Sequence, residues 1–294
     1  MKKITFSSND TSQLSKFAVS DDVTNSESEL YRFTMVDGAR QRKDYLFKKL
    51  YNLGTEILSN KIFSITALNK LSMQGDLKEF VIPEYLVYDD GGLIGFLLLE
   101  QKNTTTLGTV LKGADVSKSV KLSLLKRVGD IVEKAHSFEY EGLPFCFGDL
   151  HENNFLVNSD GDISVVDLDS STFHNMALPS YYLIDNPNLG DFSKYEFNVF
   201  GIPFPNRDTD LLCYNMMLLS TIAEENMNVI SVPEYFGYLD YLSTLGFSEN
   251  FLDSFKRVYS NHKNENASSF LESVPDEILE RAAFRFYREN IRSK

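Results

Sequence analysis

The chain has 294 residues, with 29 Lys and Arg against 42 Asp and Glu, so its formal net charge is −13. Apolar residues make up 43% and aromatic residues 13%, a composition typical of globular rather than disordered proteins. An acidic excess of this size repels nucleic-acid backbones and anionic membranes, which argues against both as partners. A nucleotide site stays possible, because it needs only a few local positive charges and a metal.

The two cysteines, Cys146 and Cys213, are too few for a disulfide framework or a zinc site. They predict buried thiols in a reducing cytosol. The residues after Met1 are polar rather than the apolar core of a signal peptide, and no run approaches the roughly 18–20 apolar residues of a membrane span. We therefore expect a cytoplasmic protein.

Strand-like runs dominate the first third of the chain. Asp37-Gly38 separates the first two runs, and residues 89–92 (DDGG) separate the next two, and both are typical of hairpins. Between the hairpins, apolar residues recur at intervals of three and four, which favours a helix. The predicted elements are strands at 30–36 and 45–51, a helix at 59–73, and strands at 85–88 and 93–99.

The remainder of the chain has helical patterns. Residues 117–136 place apolar side chains on one face, and residues 210–222 are apolar nearly all round, which predicts a buried helix. Several amphipathic helices follow, ending with one at 275–292. The sequence thus predicts an α+β fold with a β-rich part, residues 1–101, and a helical part, residues 102–294, with a ligand cleft between them.

One stretch carries the residue types of a reaction centre. Residues 148–157 (GDLHENNFLV) contain Asp149 and, five positions later, Asn154, followed by a strand-like run. A turn leads to a second strand, residues 163–166, which ends in Asp167. We expect the three polar side chains to lie at the edges of this small β unit and to converge on one point.

Two carboxylates and a carboxamide offer hard oxygen ligands, which suit Mg²⁺ held together with substrate phosphates. Phosphoryl transfer also needs a carboxylate that accepts the proton of the attacking hydroxyl. This division assigns Asp149 to the hydroxyl acceptor, and Asn154 and Asp167 to the metal.

The stretch GDLHENNFLV followed by ISVVDLD resembles the protein-kinase-like superfamily, and most closely its aminoglycoside and choline phosphotransferase branch. The resemblance implies a two-lobed fold, with a small β-rich N-lobe at residues 1–101 and a larger helical C-lobe at residues 102–294. It also implies ATP and Mg²⁺ as cofactors. The metal motif reads Asp-Leu-Asp, so Asp169 is either a second carboxylate at the metal or a surface residue.

The resemblance assigns further roles along the chain. Lys48, rather than Lys49, matches the strand lysine that contacts the nucleotide phosphates. Asp210, at the start of the buried helix, would hydrogen-bond the backbone of the catalytic loop. The adenine would meet Leu99 as gatekeeper, the backbone of Glu100, Gln101 and Lys102, and Leu156 from below.

Two features depart from the family pattern. The expected phosphate loop, residues 21–28 after a first strand at 14–20, has no glycine and is acidic. Ser64 stands where a helix glutamate should pair with Lys48, and the nearest acid upstream is Glu56. Either Glu56 supplies the pair from a shifted helix, or the pair is missing.

The acceptor is predicted from the 43 positions that separate Asp167 from Asp210. That length and the Ser and Tyr content resemble the activation and peptide-docking segment of protein kinases. The sequence therefore favours a kinase that phosphorylates a Ser or Thr hydroxyl on a protein. Two alternatives stay open: a pseudokinase acting as a binding or regulatory module, and a kinase for a small alcohol such as an amino sugar or choline.

Overall fold

The structure is a computed structural model. It describes residues 1–7, 14–16, 28–36, 41–51, 55–73, 75, 77–173, 205–271 and 274–292, without the side chains of Glu56 and Arg292. The chain divides into two compact units, and each is described separately below. The first consists of Met1–Thr104 and Ser164–Asp169, and the second of Thr105–Ile163 and Ser170–Lys294. The β-rich first part and the helical remainder make the fold α+β, as predicted.

The described strands of the first unit form a six-stranded sheet in the order β1–β5–β6–β4–β3–β2. Neighbouring strands are antiparallel, except that β1 runs parallel to β5. Both predicted strand pairs are confirmed, whereas β1 was not predicted. The strands are β1 Lys2–Thr5, β2 Ser15–Lys16, β3 Ser28–Val36, β4 Arg42–Leu50, β5 Tyr85–Asp89 and β6 Gly92–Leu99.

Successive residues of β4 face opposite sides of this sheet. Tyr45 and Phe47 are buried in a cluster on one side, together with Phe6, Val87 and Leu97. On the other side, Ile65 of helix α1 (Thr55–Ser72) packs with Leu86 and Phe96. Lys48 lies opposite Phe96 in the β4–β6 register, and paired residues share a face. Lys48 therefore lies on the side that α1 covers.

Helix α1 confirms the predicted helix at 59–73 and begins four residues earlier. Its buried positions recur at intervals of three and four, as expected for one helix face. Two of them are polar. The buried face contains Lys61, Ser64, Ile65 and Leu68.

The second unit is mainly helical. Its helices are α2 Leu107–Lys112, α3 Lys118–His136, α4 Arg207–Ala223, α5 Val232–Thr244, α6 Glu249–Lys256, α7 Asp276–Arg281 and α8 Phe284–Arg292. Helix α3 confirms the predicted helix at 117–136, with Ser117 as its N-cap. Helix α4 is buried over most of its length, as its apolar sequence predicted, and contains one of the two buried cysteines. Within the described residues, no helix is both long and apolar enough to cross a membrane.

The predicted C-terminal helix at 275–292 is wrong in one respect, because it is divided into α7 and α8. The division falls at Ala282 and Ala283. The buried hydroxyl of Tyr238 donates to the backbone carbonyl of Ala282 at 2.5 Å. This contact lies at the division between the two helices.

Short strands complete the chain. β8 (Glu139–Tyr140) and β9 (Leu143–Pro144) pair as a hairpin in the second unit. β10 (Phe155–Asn158) follows the predicted catalytic stretch, whereas β7 (Thr104–Thr106) and β11 (Ile163–Val165) each span a point of division between the units. The strands predicted after Asn154 and before Asp167 are therefore confirmed.

Candidate functional site

A cluster of two lysines and two aspartates lies in the first unit. We call Lys48, Lys61, Asp167 and Asp169 the lysine–aspartate cluster. The ammonium group of Lys48 donates to Oδ1 of Asp167 and to Oδ1 of Asp169, the latter at 2.6 Å. These partners lie 119 and 121 positions away in the sequence. The structure therefore brings together three residues that the sequence assigned to the nucleotide and the metal.

The fourth member, Lys61, was not predicted. Its ammonium group lies 3.1 Å from Oδ2 of Asp169 and 3.4 Å from the backbone carbonyl oxygen of the same residue. Asp169 thus uses one carboxylate oxygen for each lysine. Its side chain is 1% exposed, so it is not the surface residue that the sequence allowed. A lysine on the apolar stripe of a predicted helix was the one sequence feature that pointed to Lys61.

Burial and charge act in opposite directions on the two carboxylates. Burial opposes ionisation of Asp169, but the ammonium groups of Lys48 and Lys61 outweigh it and hold the pKa of Asp169 below its usual range. Burial and the adjacent Asp169 carboxylate raise the pKa of Asp167, against the attraction of Lys48. Burial would lower the pKa of Lys48, but the two carboxylates raise it above its usual value. Lys48 is therefore a permanent cation in this environment.

Asp167 differs from Asp169 in exposure and in backbone conformation. Its side chain is 33% exposed, so one edge of its carboxylate faces solvent. Its φ is 61°, in the left-handed region, which aspartate adopts more readily than most residues other than glycine.

A backbone pairing holds these aspartates in the first unit. Val81 donates its N–H to the carbonyl of Val165 at 2.8 Å, and Val165 donates to the carbonyl of Glu79 at 2.6 Å. This parallel bridge lies two residues before Asp167. It fixes the start of the Asp-Leu-Asp sequence beside the end of the segment that leads into β5.

The second unit contains the stretch around Asp149, which we call the Asp149 loop (residues 147–154). The carboxylate of Asp210 accepts hydrogen bonds from the backbone N–H groups of Phe147 at 2.7 Å and Gly148 at 3.1 Å. The ring Nε2 of His136 donates to the same carboxylate at 3.0 Å. The predicted contact between Asp210 and the loop backbone is therefore confirmed, and His136 is a further partner that the sequence did not reveal.

Side chains within the loop hold Asp149 and Asn154 together. Nδ2 of Asn154 donates to the backbone carbonyl of Asp149 at 2.8 Å. His151 begins a 3-10 turn over Glu152–Asn154, and its Nδ1 accepts the backbone N–H of Asn153 at 3.2 Å. The other ring nitrogen, Nε2, lies 3.5 Å from Oδ2 of Asp149. The side chain of Asp149 is 27% exposed, so its carboxylate is accessible to a ligand.

The residues predicted to meet adenine lie in both units. Leu99 ends β6 and is 39% exposed. Glu100 pairs with Arg32 at 3.1 Å, and its backbone N–H donates to the carbonyl of Asp44 at 3.0 Å. That N–H therefore already has a partner.

The rest of the predicted adenine contacts have local partners as well. The carbonyl of Gln101 accepts from Oγ1 of Thr104 at 3.2 Å, and Lys102 pairs with Asp44. In the second unit, Leu156 is half-buried on the face of β10 opposite Phe155. An adenine role for these residues stays a prediction.

Several features of the prediction lie wholly or partly outside the described residues. They are positions 17–20 of the first strand, positions 21–27 of the phosphate loop, the Asp37-Gly38 turn, residues 174–204 between Asp167 and Asp210, and the side chain of Glu56. The described part of the first strand includes β2, Ser15–Lys16. In the described part, Lys48 takes its carboxylate partners from Asp167 and Asp169. Ser64 is fully buried, and its hydroxyl has no hydrogen-bond partner among the described residues.

Two of the predicted magnesium ligands, Asp167 and Asn154, lie in different units. Asp167 has a partly exposed carboxylate, and Asn154 donates through Nδ2, so its Oδ1 stays an acceptor. Within the described residues, no group of three or more His, Cys, Asp and Glu side chains is arranged to hold a metal ion. A magnesium role for Asp167 and for Asn154 therefore stays a prediction. Asp169 differs from the prediction, since both of its carboxylate oxygens face ammonium groups.

Comparison with known proteins finds no matching family model and no significantly similar curated protein. The kinase-like relationship therefore depends on the residues themselves and stays a prediction.

Proposed function

We propose that this protein is an ATP- and Mg²⁺-dependent phosphotransferase with a two-lobed, protein-kinase-like fold, acting on a hydroxyl group of a protein. The contact between Lys48 and Asp167 is the observation that carries the proposal. The sequence assigned one of these residues to the phosphates and the other to the metal, at positions far apart in the chain. Their contact within one unit supports both assignments.

In the first unit, Lys48 would bind the nucleotide phosphates. It is a permanent cation on β4, and its side chain is largely buried against the two aspartates. An ammonium group in that position acts as a point charge for phosphate oxygens. Mg²⁺, when bound, would neutralise phosphate charge, and in the first unit Asp167 is the partly exposed carboxylate that would hold it.

In the second unit, Asp149 would accept the proton of the attacking hydroxyl. As the hydroxyl oxygen bonds to the γ-phosphorus, the bond from that phosphorus to ADP breaks and the proton passes to the carboxylate. The contacts of Asn154, His151 and Asp210 restrain the loop that carries Asp149. A restrained base supports catalysis, because small displacements of a reacting group lower rates steeply.

The protein acceptor is favoured by the sequence between Asp167 and Asp210. The length of this segment, 43 positions, and its Ser and Tyr residues resemble a peptide-docking segment more than the shorter connection of small-molecule kinases. A small alcohol as acceptor is the other outcome that the experiment below separates.

The test is transfer of labelled γ-phosphate from ATP, in the presence of Mg²⁺, to the protein itself and to a protein mixture. We expect labelling by the wild type and a loss of about 100-fold or more in Asp149→Ala, since a positioned acid–base group contributes roughly 10²–10⁴-fold. Asp160→Asn is the matched control, because Asp160 is an exposed carboxylate in the turn after β10. It should label like the wild type.

Other outcomes identify the alternatives. Equal labelling by the wild type and Asp149→Ala would refute the role of Asp149. Transfer only to a panel of amino sugars or choline would move the acceptor to a small alcohol. Thermal stabilisation by ATP and Mg²⁺ without any transfer would indicate a pseudokinase. A ligand at 100 times its Kd adds about 2.7 kcal/mol of stability, so binding would be readily detected.

A further inference from the structure

A lysine that binds phosphates needs a carboxylate to hold it in place, and protein kinases take that carboxylate from a helix glutamate. In this chain the corresponding helix position is Ser64. Its side chain is fully buried and offers no charge to Lys48. Among the described side chains, the carboxylates beside Lys48 come from Asp167 and Asp169.

In the first unit, Asp169 provides a carboxylate that holds Lys48 in place. Its Oδ1 lies 2.6 Å from Nζ of Lys48, and its side chain is 1% exposed, whereas that of Asp167 is 33% exposed. The more exposed carboxylate can turn to a ligand, but the buried one cannot. Asp169 is thus the partner that stays with Lys48.

Helix α1 still takes part, with the opposite charge. Lys61 lies one turn before Ser64 on the buried face, is 5% exposed, and binds the second oxygen of Asp169 at 3.1 Å. The helix provides a cation, and the carboxylate comes from the chain just after Asp167. The described side chains thus form a chain of contacts from Lys48 through Asp169 to Lys61.

We propose that Asp169 and Lys61 are positioning residues that hold Lys48 for the nucleotide phosphates, an inference that rests on the proposed function. Two lysines and two aspartates make the cluster neutral as it stands. When the ammonium group of Lys48 also binds phosphate oxygens, the ammonium group of Lys61 still balances the negative charge of the buried Asp169 carboxylate. Without Lys61, the two carboxylates would face one ammonium group fewer among the described residues, and the added negative charge would oppose phosphate binding.

The proposal predicts that Lys61 acts through Asp169. We expect Lys61→Met to lower kcat/KM for ATP by about 10-fold or more, because it leaves a buried carboxylate with one partner fewer. In an Asp169→Asn background the same change should lower kcat/KM by less than about 3-fold, because the group that Lys61 serves is gone. The KM for the hydroxyl acceptor should not change in either background.

Several controls accompany this cycle. Lys61→Arg keeps the charge and should restore most of kcat/KM for ATP. Lys70→Met removes an exposed lysine from the same helix and should behave like the wild type. The double variant, Lys61→Met with Asp169→Asn, removes both charges of the Lys61–Asp169 pair. We therefore expect it to fold even if Lys61→Met alone does not. Rates are compared after correction for the folded fraction measured by circular dichroism, which removes any purely structural effect.

The outcomes are separable. A wild type that binds no nucleotide and transfers no phosphate overturns the proposed function and this inference with it. An active wild type in which Lys61→Met retains full kcat/KM overturns the inference alone. So does an equal penalty for Lys61→Met in both backgrounds, since that would mean Lys61 acts independently of Asp169.

Discussion

The carboxylate of Asp210 accepts a hydrogen bond from the backbone N–H of Gly148 at 3.1 Å, 62 positions away in the sequence. Gly148 has a φ of 72°, in the left-handed region that glycine adopts without a steric penalty. The chain therefore turns sharply just before Asp149. Asp210 is 1% exposed and lies in the first turn of α4. Its hydrogen bonds stabilise the sharp turn of the chain before Asp149.

Asp210→Asn tests this anchor. The amide has the size of the carboxylate but only one oxygen, so it cannot accept from Phe147, Gly148 and His136 together. An unsatisfied buried donor costs about 1–3 kcal/mol, and we expect a loss of stability in that range together with weaker phosphate transfer. Urea unfolding and the labelling assay measure the two effects. Unchanged stability would mean that the loop does not depend on Asp210.

Gly108→Ala tests the contact between α2 and the Asp149 loop within the second unit. A Cβ at position 108 would lie 2.4 Å from Oδ1 of Asn153 and 2.8 Å from Cγ of Glu152. In an ordinary helix interior, alanine is more stable than glycine by about 0.5–1 kcal/mol. Here the clash should reverse that sign and displace the turn that contains Asn154. We expect transfer activity to fall while nucleotide binding is kept.

The matched control is Gly75→Ala, because a Cβ at Gly75 has nothing within 4 Å. Both activity and unfolding midpoint should stay at the wild-type values in that variant. A Gly108→Ala protein that is more stable and fully active would show that the loop gives way without consequence.

Gly95→Ala tests the approach of β6 to β4 in the first unit. A Cβ at position 95 would lie 2.0 Å from the backbone carbonyl oxygen of Lys48, and backbone cannot rotate away as a side chain can. Overpacking of this kind costs about 1–3 kcal/mol. We expect lower stability and weaker nucleotide binding, because the strand that carries Lys48 must move. Urea unfolding and ATP titration provide the measurements, and normal values in both would contradict the prediction.

The sequence predicted correctly those helices and strands that depend on residues close together in the chain. The DDGG turn between β5 and β6 fixes a hairpin by its own backbone chemistry, and the apolar run of α4 predicts burial in any fold. β1 was missed because it pairs in parallel with β5, about 80 residues away, and no turn links the two strands.

The site residues divide in the same way. Asp149, Asn154 and Asp167 stand in a recognisable spacing, and Lys48 follows from the resemblance that they suggest. The role of Lys61 could not be predicted, because a lysine on the apolar face of a helix can be assigned a role only when its partner is known. That partner, Asp169, lies 108 positions further along the chain. Contacts between buried charges at such separation depend on the complete packing of the unit.

Asn154→Asp tests the link between Asn154 and Asp149. The change keeps the shape and adds a second oxygen, but it removes the Nδ2 donor that binds the carbonyl of Asp149 at 2.8 Å. A carboxylate would then face a carbonyl oxygen, and the two acceptors repel each other. We expect Asp149 to be displaced and transfer to fall by about 100-fold, the scale associated with small misplacements of a reacting group. ATP binding measured without Mg²⁺ should change little, because Asn154 is assigned to the metal and to Asp149 rather than to the nucleotide itself.

The same substitution at Asn158 is the control for this experiment. Oδ1 of Asn158 accepts the backbone N–H groups of Asp160 and Asp162 at 2.9 and 2.8 Å, and an aspartate keeps both contacts. It loses the exposed contact from Nδ2 to Oδ2 of Asp162 at 3.3 Å, as Asn154→Asp loses its Nδ2 donor, but here the lost contact does not involve Asp149. We therefore expect Asn158→Asp to retain transfer activity, measured by initial rates at saturating ATP. If Asn154→Asp were equally active, the hydrogen bond to Asp149 would have no part in positioning the base, and the restrained loop would have to depend on Asp210 and His151 alone.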